Sequence, residues 1–476
     1  MPRLHRRAFL STAAAICAAP ALAATTMPST QVDVVIVGAG AAGIAAARRI
    51  AAAGRRYVVL EAGDHVGGRC VTDTRIFGSP YDLGAHWIHT PHLNPLTKLG
   101  TRRGVEVYPA PASQKIRVGR RYARESEMED FLAVQLRAER AIIDAARKAD
   151  IACERTLPND LGDWRATIEF GLGPYICGKD LDQVSAIDFA RAQEREGDAF
   201  CRQGFGALLA ALADGINVRL STPALAIDSG RNVTVETANG AITAHAAIVT
   251  VSTNVIAAGA VKFTPELAPG QLEMFSKLSL GSFDHIALEL ADNAVGFESD
   301  DLIFEKSTHK HSAAILANVG GTSLCLVEVA GSFGRELSAQ GEPAMVDFAA
   351  DWLAGLYGAD VKNAVKRSHA TRWNHNPLTL GAFSAAAPGW QKARRLLTQP
   401  VNDAVWFAGE ALHESLWGTV AGAWESGEHA ADAVLRRLGG VKEAPAAEAS
   451  PPIRPKQRAP QKRQQELGAT PGLFTR

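Results

Sequence analysis

Residues 32–43, Val-Asp-Val-Val-Ile-Val-Gly-Ala-Gly-Ala-Ala-Gly, decide how the chain begins to fold. Val32 to Val37 is an apolar, β-branched run suited to a buried strand, and it feeds Gly38, Gly40 and Gly43 in G-x-G-x-x-G spacing. An alanine-rich helical stretch follows, then a second apolar run, Tyr57 to Leu60, closed by Glu61. Strand, glycine turn, helix, strand, acid is the order that binds a dinucleotide. Gly38 permits the tight turn, Gly40 lets backbone N–H groups approach a pyrophosphate, and Gly43 lets the helix pack closely on the strand. Ala42 sits between them, where the helix N-terminus faces the phosphates. Glu61, about twenty residues beyond the glycines, is placed to accept hydrogen bonds from a ribose. Small residues also cluster in ordinary tight turns; the complete strand-to-acid context is what separates this stretch from one.

The chain has 476 residues, too many for one ordinary core, which favours two domains. Lys plus Arg and Asp plus Glu are both 50, so the net charge is zero and nothing points to a nucleic-acid surface. The segment His5-Arg6-Arg7-Ala8-Phe9-Leu10, followed by an alanine-rich apolar stretch ending Ala21-Leu22-Ala23, resembles a twin-arginine export signal over residues 1–24. An arginine pair before an ordinary signal or short anchor is the alternative. A periplasmic or otherwise exported protein is expected, with no stable membrane insertion, because no other stretch has the apolar length to span a bilayer. Of six cysteines, at 17, 70, 153, 177, 201 and 325, the first falls in the signal-like segment; the remaining five are widely spaced with no C-x-x-C, so they read as buried small hydrophobes. From about Val441 the chain turns rich in Pro, Ala, Gln, Lys and Arg, and residues 441–476 read as a disordered tail.

Three further stretches continue the dinucleotide argument. Glu61-Ala62, four residues, then Gly67-Gly68-Arg69 resembles the E-A-x-x-x-x-G-G-R signature of flavin amine oxidases. Two glycines let the backbone pass close to the cofactor, and Arg69 can neutralise phosphate or contact the flavin edge. Asp82-Leu-Gly-Ala85-His86-Trp87-Ile-His89, then Asn94-Pro95-Leu96, is similar to the flavin-facing loop of polyamine oxidases. Farther on, Gln203 to Gly206 starts a helix, Ile216 to Leu220 reads as a strand, and Val233 to Thr237 with Ala241 to His245 flank Asn239-Gly240, a type I′ hairpin signal. Trp406-Phe-Ala-Gly409-Glu410 ends another strand, and after a loop Gly418-Thr419-Val420-Ala-Gly-Ala423 opens a helix. This pair resembles FAGE...TVxGAxxSGxxAA in polyamine oxidases and in lysine demethylases of histones. A helix N-terminus of small residues aimed at the flavin pyrimidine stabilises the negative charge of the reduced ring.

On these motifs the chain, from about residue 31 to 437, resembles the flavin-dependent amine oxidases. The resemblance implies an α/β fold: a doubly wound, Rossmann-like FAD-binding domain assembled from residues 31–90, 200–265 and 396–437, interleaved with an α+β substrate domain from 91–199 and 266–395. It places Ala224, in the turn Ser221 to Ala224, against the adenine, Val420 N–H at the flavin pyrimidine and Glu410 near the ribityl chain. Within the substrate domain, Leu132, Leu136 and Ile143 recur at helical spacing among charges between Arg124 and Asp150, the pattern of an amphipathic helix packed on a core.

The departures from the family matter most for function. Most members carry a lysine, held to flavin N5 through a water, where Gly281-Ser-Phe-Asp-His285 places His285. His285 substitutes for lysine in water placement and reoxidation, or the strand has drifted and oxygen reactivity is poor; a His on an alternating strand can also be a satisfied core residue. Of the two aromatic rings that sandwich the amine in monoamine oxidases, the matching positions are Phe383 and Thr419, so one ring remains; Phe383 can equally be core packing. Trp373 matches a tryptophan packed beside the isoalloxazine. Ala382 stands where covalently flavinylated members have cysteine, so FAD is expected to be held without a bond to protein. Amino-acid oxidases place an arginine just after the LGA motif to clamp a carboxylate; here those positions are His86 and Trp87, which favours an amine substrate. His89 coincides with a polar residue of the polyamine oxidase tunnel. His86, His89 and His92 are not expected to bind metal, because Pro91 interrupts their spacing.

The expected reaction is hydride transfer from the carbon beside a neutral amine nitrogen to flavin N5, giving an imine and then an aldehyde with ammonia or a smaller amine. The electrons pass to oxygen, yielding peroxide, or to a periplasmic acceptor. Two alternatives stay open: an L-amino-acid oxidase or tryptophan 2-monooxygenase-like flavoenzyme, and an FAD-holding protein with little or no turnover.

Overall fold

The computed structural model describes residues 30–111, 114–192 and 197–439. The signal reading of residues 1–24 and the tail reading of 441–476 lie outside the described residues. Three remote stretches build one parallel sheet, in the order Val218–Arg219, Tyr57–Leu60, Val34–Val37, Ala246–Val249, Val405–Phe407. Every pairing in it is parallel. Val34–Val37 is buried along its whole length, which is why its sequence is continuously apolar rather than alternating. Val34 and Ile36 pack on the helices Ala41–Ala52 and Val420–Arg437, while Val35 and Val37 face a core shared with Phe275 and Phe407. A second five-stranded sheet, containing Ala226–Ser229, Val233–Thr237 and Gly240–Ala244, and the helix Pro269–Lys277 cover that second face.

Small residues let these layers meet. Gly38 has φ of +103°, and a Cβ on Gly43 would lie 1.9 Å from the Gly38 carbonyl oxygen, so the strand can turn directly beneath its own helix. The helix Ala41–Ala52 then packs against Val420–Arg437, where Trp424 is buried to 1% exposure. Truncating a side chain of that size in a closed core costs about 3–5 kcal/mol.

A seven-stranded sheet forms the other half of the molecule, in the order Val365–Ala370, Phe283–Leu290, Leu324–Ala330, Ala314–Ala317, Asp301–Glu305, Gln114–Val118, Arg121–Tyr122. It is antiparallel except where Asp301–Glu305 runs beside Gln114–Val118. Its two-residue period divides Phe283–Leu290 cleanly: Ile286 and Leu288 join an outer core with Met345 and Leu353, whereas Phe283 and His285 line the central cavity. No described helix is long and apolar enough to cross a membrane.

Two sequence expectations need correction. The helix Glu125–Ala146 forms as expected, but it buries Phe131, Gln135, Ala138 and Ile142, leaving Leu136 47% exposed. Its core-facing stripe sits one residue earlier than Leu132, Leu136 and Ile143, because the aromatic anchor Phe131, edge-on to Trp164 at 5.1 Å, sets the rotation. In the hairpin, Thr237 pairs with Gly240, so the two-residue turn is Ala238-Asn239 rather than Asn239-Gly240. Positive φ falls on Gly240 alone, at +113°, which is not the type I′ geometry. The Thr237 hydroxyl explains the shift, accepting from Asn239 N–H and donating to the Gly240 carbonyl. The cysteines conform to expectation: Cys70, Cys153, Cys177, Cys201 and Cys325 are all buried free thiols.

The close approach of these two helices can be tested at Gly427. A Cβ on Gly427 would sit 2.1 Å from the Ala42 carbonyl oxygen, whereas one on helical, exposed Gly355 meets nothing within 4 Å. Gly427→Ala is expected to lower stability in urea by about 2–3 kcal/mol and Gly355→Ala to leave it unchanged or up to about 1 kcal/mol higher.

Candidate active site

One cavity runs along the carboxyl ends of the parallel strands, the position where open α/β sheets bind ligands. Gly38, Glu61, Thr250 and Gly409, each just past a strand end, line it together with the N-termini of the helices that begin at Ala41 and Val420. Of the residues the sequence singled out for cofactor or substrate, Gly38, Gly40, Ala42, Glu61, Ala62, Gly68, Arg69, Ala85, His86, Trp87, His89, Ala224, His285, Trp373, Phe383, Gly409, Glu410, Thr419 and Val420 all line this cavity. Gly43 does not; it packs beneath the turn.

The dinucleotide end has the features a pyrophosphate requires. A Cβ on Gly40 would meet nothing nearer than the Gly67 carbonyl at 3.9 Å, so its backbone borders open space. The Glu61 carboxylate accepts from Ala39 N–H at 2.7 Å and from Gly63 N–H at 2.8 Å, holding the glycine turn against the second strand. At the other end Thr419 caps its helix, its hydroxyl accepting from Gly422 N–H at 2.9 Å. The N–H groups of that first turn have no partner within the helix, so the cap leaves donors for an anionic ring edge. These residues fit FAD.

Glu410 ties the three regions together. Its two oxygens accept from Arg69 Nη1 at 2.9 Å, Ser384 N–H at 3.1 Å, the Ser384 hydroxyl at 2.7 Å and Gly418 N–H at 2.8 Å. Burial pushes its carboxyl up, but the Arg69 and Arg394 guanidiniums, with those hydrogen bonds, outweigh burial and hold it below the usual range. Arg69 also donates to the Ala382 carbonyl at 2.7 Å. Behind Ser384, Arg394 grips both oxygens of Asp188 at 2.7 Å, the two side chains being fully buried.

The substrate end is walled by Phe283, Phe383, Tyr175, Trp87 and Trp417, with Ile176 and Leu302. Phe283 stands beside Phe383 on this wall, the two rings tilted with 5.8 Å between centroids. Trp373 is fixed from behind, its N–H donating to Asp284 at 2.8 Å and its indole N–H to the Leu83 carbonyl at 3.0 Å. Burial raises the Asp284 carboxyl to about 6 against these hydrogen bonds. His89 Nδ1 lies 2.6 Å from Asp198, and both line the cavity. His86 Nδ1 meets the Asp82 carboxylate at 2.8 Å, and Asp82 also caps the helix Phe205–Leu212 through Phe205 N–H at 3.0 Å.

His285 is 4% exposed, and its Nδ1 lies 3.0 Å from the Asp82 backbone carbonyl. Burial pushes its imidazole down to about 4 despite that carbonyl, so it is neutral near pH 7. Its Nε2 lies 3.6 Å from the carboxyl of Glu328, which stands opposite it on the neighbouring strand.

Tyr175, Asp198, Phe283, Trp417, Asp82 and Glu328 were not singled out from sequence. Two carried a usable signal: Phe283 is two residues before His285 on one strand and shares its face, and Trp417 adjoins the Gly418 motif. Tyr175 ends the irregular helix Gly171–Tyr175, and Glu328 reaches the site only through strand pairing. Among the described residues no group of three or more His, Cys, Asp or Glu side chains is arranged to hold a metal.

Comparison with known proteins agrees with this geometry. The family model for flavin-containing amine oxidoreductases matches residues 41–435. Polyamine oxidase 4 of Oryza sativa subsp. japonica is 26% identical over 447 residues, covering 85% of this chain and 89% of its own. Among solved structures, cyclohexylamine oxidase from Brevibacterium oxydans IH-35A is similar with a TM-score of 0.71 at 21% identity, covering 87% of this chain and all of its own. A wild-type putrescine oxidase bound to putrescine has a TM-score of 0.71 at 20% identity, covering 86% of this chain and all of its own. At those identities the structural likeness shows the fold.

The Glu410 network yields a signed prediction. A carboxyl held low in the folded state contributes stability above its unfolded pKa and loses it as pH falls through the folded value. Glu410→Gln leaves Arg69 without its carboxylate, so it is expected to cost about 3–5 kcal/mol in urea at pH 7. The gap from the parent should shrink below about pH 4.3, where unfolded glutamate protonates.

Proposed function

The chain belongs to the flavin-containing amine oxidoreductases, and on that footing we propose that it oxidises a small amine at the carbon beside nitrogen. The imine formed is hydrolysed to an aldehyde with ammonia or a smaller amine. Bound FAD supplies the hydride acceptor, and oxygen, giving peroxide, or a periplasmic carrier takes the electrons.

The observation that carries the choice of an amine is the charge inventory of the cavity. Arg69 is its one lining Arg or Lys among the described residues, and Arg69 is committed to Glu410 and the Ala382 carbonyl. No cation is left to clamp the carboxylate of an amino acid. The apolar rings of Phe283, Phe383 and Trp417 exclude water and disfavour the charged ammonium, leaving the nitrogen lone pair that oxidation needs. Asp198, paired with His89, is a carboxylate on this wall for any further positive group of the substrate.

Non-covalent binding of FAD is part of the proposal. Ala382 offers no thiol, and Cys70, the one cysteine on the cavity wall among the described residues, has its thiol pushed well up by burial, which keeps it protonated and unreactive. A second reading, FAD held with little turnover, is favoured by one observation: His285 is uncharged where the resemblance places a lysine.

Anaerobic mixing with cyclic and aromatic monoamines, diamines, polyamines and L-amino acids separates the readings. Bleaching of the yellow protein by at least one amine and by no amino acid is expected; bleaching by amino acids alone overturns the assignment. No bleaching by any amine, unchanged in His285→Lys, selects the holding protein. Export is likewise proposed from the Arg6-Arg7 segment. Arg6→Lys with Arg7→Lys is expected to abolish appearance of the full chain in the periplasmic fraction, and undiminished export removes the twin-arginine assignment.

A further inference from the structure

Behind the aromatic wall two ionisable side chains face each other with no third charge between them. His285 and Glu328 are Cα partners across the antiparallel strands Phe283–Leu290 and Leu324–Ala330. His285 lines the cavity; Glu328, 1% exposed, does not. The interaction at Nδ1 fixes the chemistry of the pair. A backbone carbonyl can only accept, so the Asp82 carbonyl, 3.0 Å away, requires the proton on His285 Nδ1. In the neutral ring this leaves a lone pair on Nε2, the atom that stands 3.6 Å from Glu328 Oε1. A carboxylate there would set lone pair against lone pair, whereas a carboxylic acid presents an O–H to the nitrogen.

We propose that Glu328 is a positioning residue that sets the protonation state of His285: it carries the proton in the resting protein and, once that proton has passed to bulk solvent, its carboxylate makes His285 the base that takes the proton from the substrate ammonium. In that step an N–H bond of the ammonium breaks and an Nε2–H bond forms. The neutral amine is released into the aromatic cage, and the imidazolium is held by the carboxylate beside it. Charge is conserved: an ammonium and an ionised pair become an amine and a neutral ion pair.

The surroundings suit this role. Burial pushes the Glu328 carboxyl up to about 7, with Tyr175 and the more distant His86 pulling the other way. His285 is faced by the Asp82 carbonyl and the His86 ring, and its own N–H donates to the Thr371 hydroxyl at 2.9 Å. The Asp82 carboxylate is turned to His86 and the helix at Phe205, and Asp284 is turned to Thr371 and Trp373 on the opposite face of the strand. Ala314, the Cα partner of Glu328 on its other side, adds no charge. Each nearby carboxylate is hydrogen-bonded elsewhere, although the charge of Asp82 still favours a protonated His285; among the described residues Glu328 is the carboxyl that stands within 4 Å of Nε2.

The proposal rests on the amine-oxidase reading, but its first two readouts need no substrate. FAD-loaded full-length protein and its Glu328→Gln variant are compared by infrared spectroscopy from pH 5 to 9. The difference is expected to contain the carbonyl band of a protonated acid at pH 6, half lost near pH 7; absence of that band at pH 6 overturns the proposal. With 15N-labelled histidine, the His285 signal, identified by its loss in His285→Phe, is expected as the Nδ1–H form at pH 6. It should shift with the same midpoint in the parent and stay flat in Glu328→Gln. An Nε2–H form, or a shift that survives in Glu328→Gln, overturns it. Glu328→Asp retains an acid and is expected to restore a titrating band with a moved midpoint, which guards against a folding defect in the glutamine variant. Flavin reduction by the best amine should then rise through pH 7 in the parent and lose that limb in Glu328→Gln. If no amine reduces the flavin, the functional reading fails, and the infrared and NMR results still decide the proposal.

Discussion

The buried carboxylate of Glu410 is the constraint on which the site depends. Taking one ionised group out of water costs several kcal/mol unless its lone pairs are met by donors. Here the donors come from Arg69, more than three hundred positions away in the chain, and from Ser384 and Gly418 on either side of Glu410. The carboxylate is satisfied only when the glycine-turn region, the loop carrying Phe383 and the final helix have all arrived. Arg394 extends the same logic outward, linking Ser384 to Asp188 and to the Ala411 carbonyl. One network therefore holds both the cap of the helix that begins at Val420 and the aromatic wall, and a fault at any donor is felt at the others.

The wall opposite the cofactor region is governed by strand alternation. On Phe283–Leu290 the side chains of Phe283 and His285 enter the cavity while Asp284, between them, points the other way. That reversed position is used: Asp284 takes the Trp373 N–H and so fixes the indole beside the cavity from behind. The neighbouring strand contributes Glu328 by the same pairing, behind His285 rather than in the cavity. Function on this side follows from a rigid sheet whose two faces do different tasks, which suits a site that must hold its geometry closely.

How much of this was readable in the chain depends on how far each signal reaches. The turn at Gly38, the acid at Glu61 and the segments around Glu410 and Val420 were legible because backbone chemistry demands particular residues at fixed spacing. The helix from Glu125 was legible as a helix, yet its buried face was not. Leu136 is as apolar as a core residue, and only the packing of Phe131 against Trp164 turned it to solvent. The hairpin was likewise legible as a pair of strands, while the Thr237 hydroxyl decided where the turn fell. Tyr175 and Asp198 gave no local sign, since an isolated aromatic or acid reads the same in a core, on a surface or in a site.

Taken alone, the order of residues specified that three remote glycine-bearing stretches would meet along one cavity, because a tight turn, a closely packed helix and an acid at a strand end each leave a mark within a few positions. Folding in three dimensions decided the rest: that Phe283 packs beside Phe383, that Arg69 is paired with Glu410, and that His285, its imidazole pushed down by burial, stands against Glu328. Those outcomes depend on burial and on partners supplied by other strands. Desolvation and pairing are properties of a neighbourhood, and a linear chain does not state its neighbourhoods.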